Sequence, residues 1–190
     1  INAFNFPAWG LGEKAACALL AGMPIIVKPA TSTALLAYKI AKLCAPLLPL
    51  GAFSFVAGPP GDILSHLGPQ DVVAFTGSSD TGASLRLMPN VVKSSVRVNI
   101  EADSLNAAVL GPDVEQGSDT YNMFLRDVVR DMTQTAGLKC TAIRRVFVPS
   151  DKVAAVRDDL ADRLREMRVG NPALDNVNVG PLATAAQLRD

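Results

Sequence analysis

The chain has 190 residues, 49% of them apolar, and its 18 basic and 18 acidic side chains leave no net charge. Neither sign dominates and no long charge run occurs, so nothing points to nucleic acid or to a charged membrane surface as partner. The longest apolar stretches, such as Ala15 to Leu20, are too short to span a bilayer, and no secretory signal pattern is visible.

The first hundred residues alternate between two periodicities. Glu13 to Ala21 predicts a helix stopped by Gly22, and Pro24 to Lys28 a short buried strand. Thr33 to Ala45 predicts a helix ended by Pro46 and Pro49. Ala52 to Val56 is strand-like, Asp62 to Leu67 a short helix, and Asp71 to Phe75 a strand again. Thr81 to Met88 predicts a helix and Val96 to Ile100 an alternating strand. Alternation at this spacing implies parallel strands joined by crossovers, a doubly wound α/β domain.

After Glu101 the rhythm changes. Ala107 to Leu110 predicts a strand, and Tyr121 to Ala136 a helix with a stripe of Phe124, Val128 and Met132. Ile143 to Val148 is strand-like, and Ser150 is a candidate N-cap for a helix burying Val153, Val156, Leu160, Leu164 and Met167. These elements are too few to be expected to close a core of their own. With Ile1 in place of an initiator methionine, the chain is expected to be a segment of a longer protein.

Three cysteines, Cys17, Cys44 and Cys140, cannot all pair, and none has metal-ligand spacing. The lone histidine, His66, argues against zinc. Reduced thiols in a cytoplasmic protein are expected. Cys17 and Cys44 sit in apolar helical stretches, where burial as small hydrophobes is the ordinary outcome. Cys140 follows Gly137, which should break the helix and leave the thiol on a loop, beside a Lys139 whose charge favours a thiolate.

Two glycine-bearing turns follow predicted strands. Gly58-Pro59-Pro60-Gly61 is either an ordinary turn or a phosphate cradle at a helix start. The run from Phe75 to Gly82, containing Thr76, Gly77 and Ser78, has the same placement and is also open to both readings. Glu101 ends a predicted strand, where open α/β sheets bind ligands, yet spacing alone equally allows a solvated acid. A Cys–His hydrolase is disfavoured by the single distant histidine.

Taken in order, these segments resemble the aldehyde dehydrogenase superfamily over the whole chain. Asn5-Phe6-Pro7 resembles its N-F-P segment, Lys28-Pro29-Ala30 its K-P-A, and Phe75-Thr76-Gly77-Ser78 with Gly82 its F-T-G-S-x-x-x-G. Glu101 matches the glutamate of E-L-G-G, and Gly137 with Cys140 matches G-Q-x-C. Ile1 to Gly10, Glu101 to Asn106 and Lys139 to Arg145 are most similar to the branch oxidising CoA-linked ring-cleavage semialdehydes in phenylacetate and benzoyl-CoA degradation.

The resemblance implies a Rossmann-like cofactor domain over residues 1–102 and the start of an α/β catalytic domain over 103–190, each incomplete. It implies that Cys140 attacks an aldehyde, that the Asn5 amide and the Cys140 N–H hold the oxyanion, and that Glu101 activates water. Lys28, Ala30, Thr31, Gly58, Gly61, Thr76, Gly77, Ser78 and Ala102 are the implied cofactor contacts. Thr31 stands where the family commonly has a ribose-gripping glutamate, which favours NADP over NAD. Ala102-Asp103-Ser104 replaces the motif's leucine and glycines, and Leu138 replaces a glutamine. An oligomeric parent is implied, with a CoA-linked aldehyde as substrate. Alternatives are a CoA-acylating dehydrogenase, or a dinucleotide-binding segment that does not turn over by itself.

Overall fold

A computed structural model describes residues 1–189. Contacts divide the chain into two compact units, Ile1–Asp103 and the residues from Ser104 onward.

The first unit contains α1 (Pro7–Leu20), β1 (Ile25–Val27), α2 (Ala34–Cys44), β2 (Phe53–Phe55), β3 (Val72–Gly77), α3 (Ser79–Arg86), α4 (Pro89–Lys93) and β4 (Arg97–Ala102). The strands pair in parallel, β1 with β2 and β3 with β4, the latter in a register that sets Thr76 opposite Glu101. The extended first residues join the two pairs. Asn2 N–H donates to the Lys28 carbonyl at 3.0 Å, and Thr76 N–H donates to the Ile1 carbonyl at 3.0 Å. Every strand pairing is parallel, as the alternation predicts.

Helices cover this layer through two apolar clusters. Leu11 and Ala15 of α1 and Ala37 of α2 pack on Val27 of β1. Leu85 of α3 and Val91 of α4 pack on Val73 and Phe75 of β3, with Val96 ahead of β4. Helix α1 starts six residues before the sequence-based expectation. Pro7 occupies its first turn, where a missing N–H costs nothing, and Gly10 and Gly12 had masked the helical pattern. It ends at Gly22 in a Schellman arrangement, with Met23 N–H bonded to the Ala18 carbonyl at 2.9 Å and Gly22 N–H to that of Leu19 at 3.0 Å. Helix α4, five residues long, is too short to show a period. Contrary to expectation, neither Cys17 nor Cys44 is buried. Cys17 is exposed because the buried stripe of α1 runs through Leu11 and Ala15, and Cys44 is half-buried because that of α2 runs through Ala37 and Ala41.

The second unit holds β5 (Asn106–Val109), α5 (Asp119–Thr133), β6 (Ile143–Phe147) and α6 (Val153–Arg165), with β5 and β6 parallel. Contrary to the sequence expectation, it closes a small core of its own from Leu110, Tyr121, Leu125 and Val156. The Ser118 hydroxyl caps α5 by accepting from Tyr121 N–H at 3.2 Å. The Tyr121 phenol donates to Asp159 of α6 at 2.6 Å. Burial and that bond push the phenol up to about 12. Ser150 is not a helix cap; it opens a 3-10 turn, Ser150–Lys152, and α6 begins after it.

Helix α3 lies so close to β4 that a Cβ on Gly82 would fall 2.8 Å from Ile100 Cγ2. Ile100 is β-branched and cannot swing that methyl aside at little cost. Gly82→Ala should therefore destabilise the fold by about 1–3 kcal/mol, read as a lowered urea midpoint. An unchanged midpoint would mean that α3 can lift from the sheet.

Candidate active site

In an open parallel layer the carboxyl ends of the strands and the helix starts beyond them face one edge. Lys28 follows β1 and is half-buried, its Nζ donating to the Pro29 carbonyl at 3.2 Å. Ala30 is extended, and Thr31, exposed, begins the 3-10 turn Thr31–Thr33. Gly58 and Gly61 follow β2 with φ of 85° and 58°. The segment after them, Ile63–His66, is a four-residue 3-10 turn, so the helix-dipole argument for a phosphate at those glycines does not hold.

The turn after β3 is different. Ser78 is the N-cap of α3, its Oγ accepting from Thr81 N–H at 3.4 Å and lying 3.0 Å from Thr81 Oγ1. Gly77, the last residue of β3, sits under the Phe75 ring, where a Cβ would fall 2.5 Å from Cζ. Ala102 ends β4 opposite Gly77. An exposed hydroxyl at a capped helix start, a further exposed hydroxyl at Thr31 and an ammonium at Lys28 fit the pyrophosphate and ribose of a dinucleotide.

Glu101 is exposed near the end of β4 and accepts from Thr76 Oγ1 at 3.4 Å. Thr76 Oγ1 in turn accepts from Lys14 Nζ of α1 at 2.9 Å, and Lys14 also pairs with Glu13 at 2.7 Å. A continuous chain Lys14–Thr76–Glu101 thus joins a helix, β3 and β4. Sequence reasoning missed Lys14. The available signal was a lysine inside the apolar stripe of α1, between Leu11 and Ala15. Asn5, half-buried, lies just ahead of α1 beside a shallow, mostly apolar cleft of about 620 Å³ lined by Phe6, Pro7, Trp9 and Leu36.

Cys140 belongs to the second unit and is exposed on a turn. Helix α5 stops at Thr133, short of the expected Ala136, because Thr135, Ala136 and Gly137 take left-handed conformations with φ of 53°, 54° and 75°. Thr135 and Ala136 carry side chains there at a cost of about 1–2 kcal/mol each. Side chains hold the loop in place. Asp131 of α5 accepts from Ile143 N–H at 2.9 Å and from Lys139 Nζ at 2.8 Å, and Lys139 also reaches Gln134 Oε1 at 3.0 Å. Arg144 donates to the Gly137 carbonyl at 2.7 Å. Lys139 is therefore compensated by Asp131, and its predicted thiolate-stabilising charge is already paired. On the other side of the thiol, Asn106 Nδ2 donates to the Cys140 carbonyl at 3.0 Å and Ser104 Oγ donates to the same oxygen.

No group of His, Cys, Asp or Glu able to hold a metal occurs among the described residues, and no helix among them is long and apolar enough to cross a membrane. The aldehyde dehydrogenase family profile matches residues 1–190. The chain belongs to the aldehyde dehydrogenase family. A relative in Aromatoleum evansii, 3,4-dehydroadipyl-CoA semialdehyde dehydrogenase, is 52% identical over 98% of this chain and 37% of its own length. Succinate-semialdehyde dehydrogenase from Burkholderia pseudomallei superposes with a TM-score of 0.86 at 27% identity, over 99% of this chain and 38% of that one. An aldehyde dehydrogenase from Pseudomonas syringae, solved with NAD+ and octanal, gives 0.85 at 28% identity, over 99% and 39%. The chain thus spans a little over a third of these aldehyde dehydrogenases.

The hydrogen bond from Lys139, opposed by burial and reinforced by Ile143 N–H, holds the Asp131 carboxyl below its usual 3.8. A depressed folded value stabilises above the unfolded value and is lost as pH falls through the folded one. The stability gap between the wild type and Asp131→Ala, about 1–3 kcal/mol for a charged hydrogen bond, should be constant near neutrality and shrink below pH 3.8. Urea unfolding at pH 7 and in acid checks it. A gap that widened in acid would reverse the assignment.

Proposed function

We propose that this chain carries the cofactor-binding unit and the nucleophile of an NAD(P)-dependent aldehyde dehydrogenase that converts a CoA-linked semialdehyde to the acid. The observation that carries the reading is Glu101, a carboxylate at the carboxyl end of β4 tied to Thr76, in a chain whose G-x-x-C cysteine, Cys140, is exposed on a pinned loop. The semialdehyde rests on the name of the Aromatoleum evansii relative and its 52% identity.

Cys140 Sγ adds to the aldehyde carbon, giving a thiohemiacetal whose oxyanion accepts from the Asn5 amide and the Cys140 N–H. A nicotinamide dinucleotide, when bound, would supply the hydride acceptor, and Cys140 would then hold the oxidised carbon as a thioester. Glu101 takes a proton from water as its oxygen attacks the thioester, and the acid leaves as the C–S bond breaks. A carboxylate in the Glu101 position supports release to water over transfer to a second CoA thiol. Lys14 donates to Thr76 Oγ1 at 2.9 Å, which directs that hydroxyl's single proton to Glu101 and so orients the carboxylate. Lys28 and Thr31 would hold the adenosine ribose, and Ser78 the pyrophosphate.

In the full-length protein, Cys140→Ala should abolish NAD(P)H formation followed at 340 nm with a CoA-linked semialdehyde. Full activity in that variant would end the reading. The uncharged Thr31 leaves room for a 2′-phosphate that a carboxylate would repel. NADP is the expected cofactor, and Thr31→Glu should raise its KM at least about tenfold, equivalent to about 1.4 kcal/mol, with kcat little changed. Equal KM values for NADP in the two proteins would show that residue 31 does not face the 2′ position.

A further inference from the structure

The carbonyl of Cys140 accepts two side-chain hydrogen bonds, from Ser104 Oγ and from Asn106 Nδ2. The two donors also touch each other, Asn106 Nδ2 donating to Ser104 Oγ at 2.5 Å. The count of protons closes. The serine hydroxyl gives its single proton to the carbonyl and accepts one from the amide, whose second proton goes to the same carbonyl. Nothing in this triangle is left over. Asn106 is the first residue of β5 and pairs with Ile143 at the start of β6, three residues beyond the thiol. Asn106 therefore stands on a strand that is itself paired with the far end of the loop, and Ser104 lies two residues before it.

We propose that Ser104 and Asn106 are positioning residues for the nucleophile, fixing the peptide plane that follows Cys140 and so the direction in which its Sγ projects. The proposal deepens the reading of Cys140 as nucleophile and rests on it. Three features support it. The preceding residues Thr135 and Ala136 are left-handed, and such a run holds its shape only when its surroundings enforce it. Asp131 enforces it on the α5 side through Lys139 and Ile143, leaving the Cys140 peptide itself to Ser104 and Asn106. Ser104 also stands where the E-L-G-G motif has its second glycine, which has no side chain to donate. The departure in that motif thus coincides with a new contact to the cysteine backbone.

The test uses the full-length protein with Ser104→Ala, Ser104→Thr and Asn106→Ala, each checked for an unchanged melting temperature. Two quantities are read: kcat and KM for aldehyde oxidation, and the pH profile of Cys140 alkylation by iodoacetamide, followed by mass spectrometry of its peptide. Ser104→Ala and Asn106→Ala should lower kcat about tenfold with KM within twofold, and should shift the alkylation profile. Ser104→Thr keeps the hydroxyl and should restore both. The double Ala variant should fall less than the product of the two single effects, because both donors serve one oxygen. Wild-type kcat and alkylation in Ser104→Ala, or an equal loss in Ser104→Thr, would overturn the proposal. Alkylation is read without turnover, so it still tests the positioning should Cys140→Ala remain active and the nucleophile assignment fail.

Discussion

A buried asparagine and the two main-chain hydrogen bonds beside it hold the first unit together. Asn2 is 5% exposed, and its backbone N–H reaches the Lys28 carbonyl while the neighbouring Ile1 carbonyl receives Thr76 N–H. Its side-chain amide is satisfied within α1, donating to the Gly10 carbonyl at 3.1 Å and accepting from Leu11 N–H at 3.3 Å. A buried amide without partners would cost about 1–3 kcal/mol. Here it links the strand layer to the helix that covers it. Without this junction β1 with β2 and β3 with β4 would be two separate two-stranded layers, each held only by its own helices. Lys28, Thr76 and Glu101 all lie on or next to the strands it joins, so the order of this candidate site edge depends on it.

How much of this was legible in the sequence follows from the length scale of each signal. The alternation of elements and the parallel pairing were readable, because each strand is a compact apolar run and each crossover a full helix. The start of α1 was not. Its first turns contain Gly10, Gly12 and an exposed Trp9, and their helicity comes from packing on β1 and from Pro7 at the start. Five-residue α4 had too few positions to reveal a period, and burial of Val91 decides it. The core of the second unit was also undervalued, since Tyr121 is buried by α6, whose Asp159 accepts from its hydroxyl across 38 positions.

The candidate site shows the same division. Cys140, Glu101 and the Ser78 turn were visible as motif positions, with the helix cap at Ser78 matching a local rule. Contacts between distant residues were not visible. Lys14 reaches Thr76 across 62 positions, and Ser104 reaches Cys140 across 36. The reading of Lys139 as a partner for the thiol failed for the same reason. Adjacency in sequence suggested one electrostatic role, and Asp131, eight residues away on a helix end, had already taken the charge. Asp103 illustrates a milder departure. It keeps a φ of 53° where the family motif has glycine, as a short acidic side chain can in the left-handed region.

The junction at Ile1 and Asn2 also sets an order of events during synthesis. Its two partners lie far downstream, first Lys28 and then Thr76, so the segment leaves the ribosome long before the strand that completes it. At roughly 5–20 residues per second, the interval before β3 emerges is on the order of several seconds. Throughout it, Ile1 remains without the β3 and β4 side chains that it later packs against. The edge that carries Thr76 and Glu101 is therefore among the last features of the first unit to form.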